Sequence, residues 1–150
     1  GVAGPRRRAS VRANSATGRR TGRARRGTPV LALMVGLGAA VGAPARYLTD
    51  RAVQTRHDTV FPWGTLTVNV VASLLLGGLM GAGAQLSGTV LALVGTGFCG
   101  ALSTFSTFGY ETVRLAQERS RFYAAANVAV SLVAGLGAAS LGWSIGAALT

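Results

Sequence analysis

A chain of 150 residues with 49% hydrophobic content and a mean hydropathy of +0.42 holds one domain, and that domain is of the membrane class rather than the soluble one. All fifteen basic residues are arginine, against four acids, but nine of the arginines fall in the first 26 residues. The net charge of +11 therefore describes a tail, and it does not argue for a nucleic-acid partner.

Residues 1–28 are rich in Arg, Gly, Ala and Ser and contain no acid and no aromatic residue. Such a segment cannot bury a core, so a disordered extension is expected here, followed by a transmembrane domain over 29–150. Contact with anionic lipid and an organellar presequence are the functional alternatives to a plain solvated tail. The chain starts at Gly1 without a methionine, which leaves the true N-terminus open.

The first span is expected from about Pro29 to Tyr47. Gly27–Ala45 carries no charge and has about the 20 residues that a bilayer crossing needs. Gly38, Gly42 and Ala43 give it a small-residue face, and Arg46-Tyr47 closes it as an interfacial anchor pair. A polar loop over 48–63 follows, with Arg51, Arg56, His57 and Asp58, and ends in Phe61-Pro62-Trp63, which reads as an aromatic belt. His57 reads as a solvated loop histidine.

The second span is expected over Gly64–Gly83. Asn69 stands out in it, because an amide in an apolar helix is costly unless it is bonded. It is either interhelical glue or a donor that faces a pore, and periodicity does not choose between them. A short turn at Ala84–Gly88 leads to the third span, Thr89–Val113.

That third span ends the longest charge-free run of the chain, Thr59–Tyr110, and holds Gly97-Phe98-Cys99-Gly100-Ala101-Leu102-Ser103-Thr104-Phe105-Ser106-Thr107-Phe108. Glycine costs about 1 kcal/mol relative to alanine in a helix, and buried hydroxyls need partners. Irregular backbone in a membrane survives only where it is buried in protein or lines a wet cavity. A broken helix that builds a site is therefore expected. After a charged link at Gln117–Arg121, a fourth span covers Phe122–Ala148, with Asn127 and Ser131 one turn apart on one face. The whole is an all-α bundle of four transmembrane helices with the third one broken.

Five arginines flank the first span on the tail side (Arg19, Arg20, Arg23, Arg25, Arg26), against six on the other (Arg46, Arg51, Arg56, Arg114, Arg119, Arg121). That balance fixes no single orientation. A chain that inserts both ways is able to form an antiparallel dimer.

Three stretches resemble one family. Gly38-Ala39-Ala40-Val41-Gly42-Ala43-Pro44-Ala45-Arg46-Tyr47 resembles its first signature, and Gly64-Thr65-Leu66-Thr67-Val68-Asn69 followed by Ser73 resembles its second. The Gly97–Phe108 stretch is similar to its third and most specific one. The family is that of the CrcB/Fluc fluoride channels, and the resemblance covers about residues 30–148. Ala72 and Ala101 stand where the family usually has glycine, and Ser103 where it usually has threonine.

The resemblance implies a dual-topology, antiparallel homodimer, or a pair of homologues, in the cell membrane (bacterial inner-membrane type). It implies passive export of fluoride along two pathways. It further implies a structural Na⁺, not transported, on the backbone carbonyls of Gly100 and Ser103 of both subunits. Asn69, Phe105 and Phe108 would line the fluoride path, with Thr104, Ser106, Thr107, Ser131 and Glu111 in a polar track and Arg46 at a vestibule. The partners implied are fluoride and the bilayer, with no nucleic acid.

The residue types suit that chemistry. An amide N–H and the positive edges of phenylalanine rings stabilise an anion without the tight hold of a cation, and conduction needs sites weak enough to leave. Phenylalanines at i, i+3 are otherwise packing residues. A multidrug-type exporter of four helices needs a membrane-embedded carboxylate; the first span, expected to end at Tyr47, has none, and Glu111 is expected near an interface. A scaffold subunit leaves the hydroxyl–phenylalanine ladder unexplained. An enzyme is not expected, since Cys99 has no partner to activate it.

Overall fold

The computed structural model describes residues 18–57 and 59–150, with side chains from residue 28 onward apart from that of Ala84. The expected disordered extension lies outside the described residues as far as residue 17, as does Asp58. From Gly18 the backbone is helical and continues into the first span as α1 (Gly18–Gln54), of which Thr28–Gln54 is apolar and long enough to cross a membrane.

The polar loop expected over 48–63 is shorter than the sequence suggested, because α1 runs on to Gln54. No glycine or proline interrupts 48–53, and one turn of this stretch is tied together: Arg51 Nη1 donates to the Tyr47 hydroxyl at 2.9 Å. His57 is exposed, with Nδ1 2.9 Å from the Val53 carbonyl and its ring 5.7 Å from that of Trp63. Phe61 is buried and packs on Trp63 at 4.8 Å, so of the expected belt only Trp63 is exposed.

Helix α2 is Trp63–Ala82 and stops at Gly83, whose φ of 54° lies in the left-handed region that favours glycine. Helix α3 covers 88–102 and starts on Ser87, whose hydroxyl accepts from the Val90 N–H at 3.3 Å. Its winding opens to a π-helix over Leu91–Cys99, which includes Gly95 and Gly97. Ser103 and Thr104 are extended, and the chain re-enters a helix as α4 (Phe105–Gln117). The third span is thus broken, as expected. It ends one turn beyond Val113. Helix α5, Arg121–Ala148, follows a turn at Arg119.

The described residues thus hold four stretches able to span a membrane. Helix α2 lies along α5, α1 along α3, and α4 closes against α5. Val68, Ala72, Cys99 and Leu102 form a buried core between α2 and α3, with Ala45 of α1 packed on it.

The closest approaches are made where side chains are missing. A Cβ at Gly77 or Gly81 would strike the backbone of Ala139 or Trp143 on α5. One at Gly142 or Gly146 would strike the Leu74 or Gly78 carbonyl on α2. On the other side, Gly38 and Gly42 of α1 meet the backbone at Leu93 and Phe98 of α3. Ala43, expected on that same face, is exposed, since only the i, i+4 pair points inward. Large apolar residues such as Leu33 and Val41 on α1 and Val133 and Leu136 on α5 are exposed, as lipid-facing positions require.

Candidate functional site at the break in the third span

Where α3 ends, backbone groups lose their intrahelical partners. At Thr104, in the break, a residue 35 positions away supplies the partners. Asn69 Nδ2 donates to the Thr104 carbonyl at 3.1 Å, and the Thr104 N–H donates to Asn69 Oδ1 at 2.8 Å. The Asn69 amide therefore stands in for the peptide group of a neighbouring turn. It is glue, and the second hydrogen of its NH₂ is still available as a donor.

Thr104 also caps α4. Its Oγ1 accepts from the Thr107 N–H at 3.2 Å and donates to Thr107 Oγ1 at 3.1 Å, with the Ser106 hydroxyl at 3.3 Å. The hydroxyls of Thr104, Ser106 and Thr107 thus serve first to start α4.

Three cavities meet at this break. The largest, about 280 Å³, is lined by Asn69, Ser103, Thr104, Phe105, Phe108 and Ser131, together with Ser73, Leu132 and Gly135. Phe105 and Phe108 lie 5.9 Å apart with rings tilted by 42°, and Phe105 is 84% exposed, far from a packed core residue. A second cavity, about 130 Å³, is lined by Arg46, Tyr47, Asp50, Thr65, Val68, Thr104 and Thr107. A third, also about 130 Å³, is lined by Gly100 and Ser103 with Ala72, Ser73, Leu76, Gly95 and Cys99. Ser103 faces the first and third, Thr104 the first and second.

Glu111 sits two turns into α4, half-buried, and its Oε1 accepts from the Thr65 hydroxyl at 2.9 Å. Its other oxygen is buried without a partner. Asn127 and Ser131 share a helix face but part company. Ser131 lines the phenylalanine cavity, while Asn127, 1% exposed, donates to Thr112 Oγ1 at 2.8 Å. Thr112 in turn donates to the Phe108 carbonyl at 2.8 Å. Sequence reading did not single out Thr112 or assign a role to Asn127, although the i, i+4 spacing from Ser131 was the available signal. No cluster of three or more His, Cys, Asp or Glu able to hold a metal occurs among the described residues.

The sequence pattern of the family described as CrcB-like protein, Camphor Resistance (CrcB), matches residues 33–143, which includes every residue of the break and its cavities. The chain belongs to the CrcB-like family. Relatives in it include the protein named fluoride-specific ion channel FluC 1 of Frankia casuarinae, 64% identical over 124 residues, covering 78% of this chain and 96% of the relative. Proteins of the same name from Streptomyces avermitilis and Thermobifida fusca are 57% identical over 112 residues and 50% identical over 111. These cover 73% of the chain and 90% of the relative in the first case, and 74% and 91% in the second. The CrcB-like family is one of ion channels and not of enzymes, and this member is a multi-pass protein of the plasma membrane.

Proposed function

We propose that this chain is the subunit of a fluoride channel and that the anion passes along the cavity at the break. One observation carries the reading: Asn69, Phe105, Phe108 and Ser131, far apart in sequence, line a single cavity of about 280 Å³ beside the helix break. Fluoride is small and hard, so a pore must replace its hydration shell. The free Asn69 N–H, the Ser131 hydroxyl and the ring edges of Phe105 and Phe108 are weak donors of positive potential. None of them is a fixed cation that would hold the ion too long. Thr104 and Thr107 extend the polar surface toward the Arg46 chamber, and Ser106 and Glu111 supply further polar groups along α4.

Export is passive in this reading. Fluoride enters from an acidic medium as HF, dissociates inside, and leaves as the anion down its gradient. The working unit is an antiparallel homodimer, which the near-even arginine distribution permits; a paired homologue is the alternative.

A Na⁺ fits the residues at the end of α3. That helix stops at Leu102, so its last carbonyls lack intrahelical donors, and Gly100 is exposed with nothing within 4 Å of where a Cβ would stand. Gly100 and Ser103 supply hard oxygen donors, and a second subunit completes the set. Bound there, the ion would offset the negative ends of those carbonyls.

Fluoride efflux from proteoliposomes of the purified protein, with the potential clamped by a K⁺ ionophore and chloride as control, tests the channel. Efflux of fluoride but not chloride, abolished by Phe105→Ile, is expected. Well-folded protein that passes no fluoride would sink the homodimeric channel.

A further inference from the structure

The Arg46 chamber contains a second charge for which the proposed pathway has no use. Asp50 follows Arg46 by one helical turn on α1, and both line the same cavity of about 130 Å³ with Tyr47, Thr65, Thr104 and Thr107. The two are opposite charges at a spacing that favours pairing. Even so, among the described residues neither takes part in an ion pair or a hydrogen bond. The Asp50 carboxylate lies instead against Gly64, where a Cβ would strike Oδ1. Gly64 is in the first turn of α2, where the helix dipole favours a negative charge, while its own N–H donates to Gln54 Oε1 at 3.5 Å. Asp50 thus sits between the start of α2 and Arg46 without neutralising Arg46 by contact.

We infer that Asp50 tunes the anion pathway: its fixed carboxylate offsets the Arg46 charge, so that fluoride is drawn into the chamber without being trapped there. The inference rests on the channel reading above and deepens it. An arginine alone in a half-dry chamber binds an anion more strongly than one in water, because charges interact more strongly where solvent is excluded. The chamber adjoins Thr104, which also faces the phenylalanine cavity, so an ion held at Arg46 blocks the next one. A negative charge lining the same chamber raises the free energy of the occupied chamber and shortens the stay.

The rival role is purely structural: Asp50 serves only as counter-charge to the start of α2. The two roles differ in what they move. A counter-charge affects stability alone. A tuning charge changes the fluoride dependence of the current in one direction.

Single-channel current measured over a fluoride series separates them, with thermal unfolding followed in parallel. A unit charge removed from within about 12 Å of an ion, at an effective dielectric near 20, changes its binding about tenfold. Asp50→Asn is therefore expected to lower half-saturating fluoride about tenfold and to reduce the maximal current. Arg46→Gln should raise half-saturating fluoride, and the double variant should fall between the two singles. Should Asp50→Asn not fold, Asp50→Ser replaces it, since a small hydroxyl side chain removes the charge and fits beside Gly64. A conducting variant at Asp50 whose half-saturation is unchanged or higher overturns the inference and leaves the channel reading standing, even if its unfolding temperature drops. A wild-type chain that carries no fluoride overturns both.

Discussion

The seam between α2 and α5 and the break between α3 and α4 both rest on bare backbone, used in opposite ways. In the seam, Gly77 and Gly81 face Ala139 and Trp143, and Gly142 and Gly146 face Leu74 and Gly78, with a carbonyl lying where each Cβ would be. Both helices keep their own hydrogen bonds, and the approach is limited only by van der Waals radii. At the break, Ser103 and Thr104 leave the helix; Asn69 takes up the Thr104 N–H and carbonyl, the Ser103 N–H donates to the Cys99 carbonyl, and the Thr104 hydroxyl caps the start of α4. Close packing needs a side chain to be absent, while a stable break needs a particular one to be present. The two regions are also linked. Asn69 stands on α2 and Ser131 on α5, so the rigid seam sets the spacing of two groups that line one cavity.

The sharpest way to break this comparison is to fill the seam. Gly142→Leu has no flexible neighbour to displace, only backbone, and is expected to cost about 3 kcal/mol or more. The readout is loss of the folded species on size exclusion in detergent and a lowered unfolding temperature; a variant that unfolds like wild type would mean a looser seam. Next in size is Asn69→Leu, which leaves the Thr104 N–H and carbonyl unpaired at about 1–3 kcal/mol each. Hydrogen exchange should then show amides 103–107 deprotected while those of α2 and α5 along the seam stay protected. Uniform deprotection would mean that the two regions are not separable. Smallest is Gly109→Ala on α4, where a Cβ meets nothing within 4 Å. A gain of up to about 1 kcal/mol in unfolding free energy is expected from helix propensity alone. A loss of stability there would show a close neighbour outside this chain.

Much of the frame was legible. Lengths of charge-free sequence placed three of the four spans to within one residue at nearly every end, and the low helix propensity of Gly97 and Gly100 beside a hydroxyl run marked the third as broken. The first span was read short because Arg46-Tyr47 looks like an interfacial stop. Nothing in composition announces that Tyr47 and Arg51 hydrogen-bond across one more turn. That misreading placed Asp50 in a loop and hid its i, i+4 relation to Arg46. The Asn127–Thr112–Phe108 chain of hydrogen bonds was invisible for a different reason, since its three members lie on two helices whose relative rotation is not encoded in either one.

The sequence by itself determined what each segment can tolerate: which stretches dissolve in lipid, which faces are small, and where a helix is too weak to continue. These are local quantities, sums over neighbouring residues of transfer and backbone free energies. Tertiary structure alone decided how the break is satisfied. In an apolar medium an unpaired peptide group costs several kcal/mol, so a partner had to be found, and the one used lies 35 residues away on another helix. That pairing turned the Asn69 question from glue or donor into glue with one donor hydrogen to spare.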